Sequence, residues 1–150
     1  MTDCIFCKIV AGTIPSIKIH EDDLVVSFMD IHPLRRGHVL TIPKEHQQQL
    51  HLLPPETRAH LVNTVARIAE AVYRSSLKPD AVHYAVNDGP AAEQTVPHVH
   101  MHLLPRYKGD RMSFMMRLLR KPFDLVTGPV AGDVLMRDAD AIRAELARVS

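Results

Sequence analysis

The sequence predicts an α+β fold, an antiparallel sheet of about five strands with one long helix and a C-terminal helical tail. Three observations lead to that expectation. Five short runs rich in apolar residues are bounded by turn-forming residues, a single long stretch shows helical spacing, and most of the runs follow one another instead of alternating with helices.

Residues 4–10 read as a short turn or helix. Pro15 to His20 and Leu24 to Met29 read as strands split by the Glu21-Asp22-Asp23 turn, and His38 to Ile42 as a third strand opened after Gly37 and stopped by Pro43. The helix spans about Pro54 to Leu77. Pro54 and Pro55 suit its first turn, and Leu61, Val65, Ile68 and Val72 recur on one side. Arg58, Asn63, Arg67 and Arg74 fall largely opposite, so this helix is expected to cover one face of the sheet. Ala81 to Val86 and Val96 to Leu104 complete the strands, on either side of the Asn87-Asp88-Gly89-Pro90 turn. Beyond Gly109, Met112, Met115, Met116 and Leu119 form one helical side with Arg117, Arg120 and Lys121 opposite, and Asp138 or Asp140 caps a final helix reaching Val149. The expectation is a single domain over 1–150, with its core at about 4–108 and a tail at 109–150.

Composition narrows the function. A chain of 150 residues, 46% hydrophobic and 23% charged, buries roughly 68–70% of its unfolded surface and needs no disulfide support. Eighteen Lys and Arg against 17 Asp and Glu leave a net charge of +1, so bulk attraction to nucleic acid or to an anionic membrane is not expected. No apolar run approaches the roughly 18 residues that span a bilayer. Met1-Thr2-Asp3 opens with an acid where a signal peptide carries basic residues, so a cytoplasmic location is expected. Two cysteines are too few for a secreted disulfide scaffold. Histidine is over-used, with ten residues against three Tyr, four Phe and no Trp.

Three of the ten stand in His98-Val99-His100-Met101-His102. On a strand, alternate side chains share a face, which lines up the imidazoles about 6.6 Å apart and turns Val99, Met101 and Leu103 into the core. Such an array has three readings: polar residues at surface positions, a three-histidine metal site, or a nucleophilic imidazole oriented by its neighbours. Cys4-x-x-Cys7 is also ambiguous by itself, serving either redox chemistry or a metal. No strand precedes it, which counts against the redox reading.

The run His98 to Leu104 resembles the signature of the histidine triad (HIT) superfamily. So do Ile5 to Val10 with Ile14-Pro15, Gly37-His38-Val39-Leu40 with Ile42-Pro43-Lys44, and Asn87-Asp88-Gly89-Pro90 before Gln94-Thr95-Val96, together covering about residues 4–108. The resemblance implies a homodimer and a nucleotidyl-histidine mechanism at the α-phosphorus of a purine nucleotide derivative. His100 is then the nucleophile, His102 the donor to phosphate and leaving group, and His38 an additional active-site histidine. An imidazole with an ordinary pKa near 6.5 has a lone pair at neutral pH and is also a fair leaving group.

By the same resemblance Asn87 and Thr95, with Gln94 beside them, contact the phosphate, Asp30 accepts from the ribose hydroxyls, and Phe6, Ile9 and Ile31 line the base pocket. Ordinary turn and strand chemistry also accounts for Gln94, and apolar residues such as these are more often core. Glu93 stands where relatives commonly have glycine, and a carboxylate there would repel phosphate unless it turns outward. In a zinc-carrying branch of the family the four ligands correspond to Cys4, Cys7, His46 and His98, and the zinc is structural. Pro105-Arg106 followed by Gly109-Asp110 is similar to the branch that cleaves dinucleoside polyphosphates. Residues 106–121 hold six basic residues and one acid, a net +5, for which a packed or dimer-forming helix, a polyphosphate lid and a membrane-surface helix are the alternatives. Two other functions compete with the hydrolase: a nucleotide sensor or scaffold with negligible turnover, and a metal-dependent hydrolase using the triad as ligands.

Overall fold

A computed structural model of the chain describes residues 3–116 and 130–149. The strands are β1 (Lys18–Glu21), β2 (Val25–Met29), β3 (Val39–Pro43), β4 (Ala81–Val86) and β5 (Met101–Arg106). They form one sheet in the order β1-β2-β3-β5-β4, antiparallel at every pairing. The helices are α1 (Ile5–Val10), α2 (Pro55–Arg74), a described stretch α3 at 111–116, and α4 (Gly132–Leu146).

The hairpins β1-β2 and β2-β3 follow from the short turns between their strands. β3 and β4, joined through α2, do not pair, because β5 lies between them. Leu40 and Ala85 therefore flank His102 on either side. Strand alternation divides the apolar residues between two faces. Met29, Val39 and Leu103 face α2 and α4, meeting Val65, Ile68 and Val72 of one helix and Leu135, Ala139 and Ile142 of the other. Val26, Phe28, Leu40 and Ile42 face the opposite way and are covered by Cys4, Phe6 and Ile9 at α1. The sheet is thus covered on both faces near its centre, not on one alone, because the six residues of α1 carry enough apolar surface to close the second face. Among the described residues no helix is long and apolar enough to cross a membrane.

Two expectations need correction, and one of the three readings of the triad falls away. The last strand begins at Met101, not Val96, so His98 and His100 precede it, held by loop contacts instead of a ladder. All three triad histidines are buried, so none is a surface position. The final helix starts at Gly132 after Ala131, which makes no side-chain cap, and Asp133 supplies the acid of its first turn. Asp138 lies mid-helix on the stripe of Leu135, Ala139 and Ile142 and is 2% exposed. Met112, Met115 and Met116 are exposed. Leu119 and the basic side at Arg117, Arg120 and Lys121 lie outside the described residues.

Candidate functional site

Two clusters of histidine form where α1, β3 and the approach to β5 converge. The first lies between α1 and the end of β3. Cys4 Sγ is 3.6 Å and Cys7 Sγ 3.7 Å from Nδ1 of His98. Nδ1 of His46 is 3.2 Å from Cys7 Sγ and 3.2 Å from Nδ1 of His98. A tetrahedral zinc with ordinary bond lengths needs sulfur-to-nitrogen edges of about 3.5 Å and nitrogen-to-nitrogen edges of about 3.3 Å. The spacing and the soft donor set both fit that ion.

The tautomer fits as well. Nε2 of His98 donates to the Pro43 carbonyl at 2.9 Å, which leaves the lone pair on Nδ1, facing the sulfurs. Burial pushes the His98 pKa down, favouring the neutral ring that a metal requires. Cys4, Cys7, His46 and His98 all offer ligand atoms within 4.8 Å of one another.

The second cluster continues from the first through the backbone. Nδ1 of His100 donates to the His98 carbonyl at 2.8 Å, so the lone pair of its neutral ring is on Nε2. The edge of Phe6 meets this ring with centroids 5.2 Å apart. His102 stands beside it at 5.0 Å between centroids. Across the β3-β5 pairing, Nε2 of His38 lies 2.9 Å from Nδ1 of His102, a diagonal contact on one sheet face.

Two groups meet Nδ1 of His38. The Leu34 N–H donates into Nδ1 of His38 at 3.3 Å. With Nδ1 accepting, Nε2 of His38 carries the proton and donates to Nδ1 of His102. Nε2 of His102 is then itself a proton donor. Asp30 Oδ2 lies 3.2 Å from the same nitrogen and only accepts, so a proton on Nδ1 is donated to it; with both nitrogens of His38 protonated, Nε2 still donates to Nδ1 of His102. With Nε2 of His38 protonated, the adjacent imidazoles act in opposite senses: His100 offers an electron pair through Nε2 and His102 offers a proton.

The remaining candidates are spread more widely. Phe6 and Ile9 are buried together with Phe28. Ile31 is 50% exposed, and its carbonyl accepts the Val130 N–H at 3.0 Å. Asn87 donates to the Ala92 carbonyl across the loop that follows β4. Gln94 accepts from the Gly89 N–H and donates to the Gln48 carbonyl, both at 2.8 Å, so its amide braces the loop. Thr95 is exposed. Glu93 is exposed with φ +62°, the left-handed region where glycine is easiest, which explains in physical terms why glycine suits this position.

The Arg106 and Asp110 motif is a local brace. The guanidinium holds Asp110 through Nε at 3.0 Å and Nη2 at 2.7 Å, and stacks 3.8 Å over Phe114. Sequence reasoning missed the Pro43 carbonyl and the Leu34 N–H, since backbone groups leave no sequence signal. It also missed Asp138, whose signal was present as an acid interrupting an apolar stripe.

A family model described as the HIT domain matches residues 11–109. An uncharacterised HIT-like protein of Mycobacterium tuberculosis is 45% identical over 141 residues, 92% of this chain and 97% of that protein. A Schizosaccharomyces pombe protein named adenosine 5'-monophosphoramidase is 41% identical over 103 residues, 69% of this chain and 74% of its own. A zinc-bound histidine triad family protein from Mycobacterium smegmatis superposes with a TM-score of 0.82 at 39% identity, covering 98% of this chain and 95% of that one.

Proposed function

The chain belongs to the histidine triad family, and we propose that it is a nucleotide-binding hydrolase cleaving a phosphoanhydride or phosphoramidate bond at the α-phosphate of purine nucleotide derivatives. One observation carries this reading: His100 is locked by the His98 carbonyl in the tautomer whose Nε2 is nucleophilic, with the His102 ring beside it at 5.0 Å between centroids. The relative named adenosine 5'-monophosphoramidase supports the phosphoramidate half of the substrate class.

In the first step Nε2 of His100 attacks the α-phosphorus. The bond to the leaving oxygen or nitrogen breaks, and the leaving group takes the proton from Nε2 of His102 while Nδ1 of His102 takes the proton from Nε2 of His38, which enters the step as an imidazolium against the Asp30 carboxylate. A nucleotidyl-histidine results. In the second step water attacks the same phosphorus, Nε2 of His102 accepts its proton as Nδ1 returns one to Nε2 of His38, and the phosphorus-nitrogen bond to His100 breaks, restoring all three rings. Dividing one displacement into two in this way lowers each barrier. His38 keeps His102 in register, and Asp30 balances its positive charge.

The substrate roles proposed are Asn87 and Thr95 at the phosphate with Gln94 shaping their loop, Asp30 at the ribose hydroxyls, and Phe6, Ile9 and Ile31 at the base. A zinc ion held by Cys4, Cys7, His46 and His98 fastens the N-terminus to the end of β3 and to the segment entering β5. It takes no part in the chemistry. A homodimer acting in the cytoplasm completes the reading. β4 supports the dimer as an edge strand with Tyr84 47% exposed, beside Tyr73 of α2 at 44%.

The test is His100→Ala, assayed with an adenosine 5'-phosphoramidate. Retained nucleotide binding with abolished hydrolysis supports the enzyme. Wild-type protein that binds nucleotide without turnover would instead identify a sensor.

A further inference from the structure

The turn that delivers His38 to the site is held from a distant part of the chain. Residues 35–38 form a reverse turn closed by the His38 N–H on the Arg35 carbonyl at 3.2 Å, with Gly37 in third position at φ +75°. The His38 amide takes that carbonyl, so the buried Gly37 amide needs an acceptor from outside the turn. Asp138 supplies it: Oδ2 accepts the Gly37 N–H at 3.2 Å, 101 residues away in sequence.

The same carboxylate takes Nη2 of Arg36 at 2.5 Å and Nε at 3.3 Å. A carboxylate 2% exposed would be costly without such partners. Its helix cannot drift, because Leu135, Ala139 and Ile142 fix α4 in the core shared with α2. Gly37 is also pressed from behind, where a Cβ would meet Leu77 Cδ1 at 2.7 Å.

We propose that Asp138 is a positioning residue for the reaction: by gripping the Gly37 amide it fixes where β3 begins, and so holds Nε2 of His38 against Nδ1 of His102. The C-terminal helix thereby becomes part of the apparatus that orients the proton donor. This rests on the reading of His38 and His102 given above. Misplacing an orienting group by about 1 Å can cost up to about 100-fold in rate, so the grip is worth measuring.

The experiment compares Asp138→Ala, Asp138→Asn, Arg36→Gln and His38→Ala in hydrolysis of an adenosine 5'-phosphoramidate, each well below its own melting temperature. Asp138→Ala is expected to lower kcat by about 10-fold or more with KM within about 2-fold, because the group acts on proton transfer and not on binding. Asp138→Asn retains an oxygen for the Gly37 N–H and is expected to recover kcat to within about 3-fold of wild type. Arg36→Gln lowers the melting temperature but leaves kcat near wild type, since the Gly37 bond survives. Should Asp138→Ala fail to fold, Asp138→Leu continues the apolar stripe and carries the same expectation.

Unchanged kcat in the Ala or Leu variant, or Asn no better than Ala, overturns the inference. Loss of turnover in His38→Ala with none at position 138 overturns it while leaving the role of His38 intact. Full turnover in His38→Ala overturns the reading of His38 and the inference together.

Discussion

Gly37→Ala is expected to destabilise the protein by about 2–4 kcal/mol. Two structural facts set that magnitude. Gly37 has φ +75°, and holding a residue with a side chain in the left-handed region costs roughly 1–2 kcal/mol. The new Cβ would also lie 2.7 Å from Leu77 Cδ1 and 3.1 Å from Pro105 Cγ. The leucine can swing aside, but the proline ring is fixed in β5, so overpacking adds roughly 1–3 kcal/mol. The lower entropy of an unfolded alanine returns roughly 0.4–1 kcal/mol. For a chain of this length, the sum lowers the melting temperature by about 5–15 °C. Gly109→Ala is the control: φ is +82° but nothing lies within 4 Å of its Cβ, so only the conformational cost applies. Thermal and urea unfolding of both variants measure the difference. Equal losses at positions 37 and 109, or a loss below about 2 °C at position 37, would refute the close packing assigned to this turn.

Further expectations follow from other parts of the molecule. The Arg106 hydrogen bond holds the Asp110 carboxyl at about 2, below its ordinary 3.8, so its stabilisation is complete above the ordinary value and is lost as pH falls from about 4 to 2; Asp110→Asn should remove that segment of the acid unfolding curve, and parallel curves would contradict the pair. Metal analysis of unoxidised protein should find about one zinc per chain, with Cys7→Ser losing both zinc and thermal stability, whereas a metal-free preparation with an unaltered melting temperature would remove the metal site. Glu93→Gly should raise stability by about 0.5–1 kcal/mol in urea unfolding, the left-handed cost less the added unfolded-state entropy, and a decrease would contradict the strain at φ +62°.

Much of this was legible in the sequence because each feature had a local signal. The α2 stripe of Leu61, Val65, Ile68 and Val72 is buried as its spacing requires, and β4 matches its expected bounds of Ala81–Val86. Cys4, Cys7, His46 and His98 were picked out by resemblance, and the fold brings all four together. What failed depended on groups without a side-chain signature or on partners far along the chain. Val96 to His100 look like a strand but run ahead of the ladder, since the Val99 N–H donates to the Gln47 carbonyl at 2.8 Å. Asp138 reads in sequence as a helix cap because Asp is favoured at helix N-termini. Only the fold shows that a turn a hundred residues earlier needs a buried acceptor there.

The most direct measurement is mass spectrometry of wild-type protein quenched without acid during turnover of an adenosine 5'-phosphoramidate. A single added nucleoside monophosphate on the peptide containing residues 98–102, absent from His100→Ala, is the predicted result. Active protein that never carries the adduct, or carries it on another peptide, would contradict a nucleophilic His100.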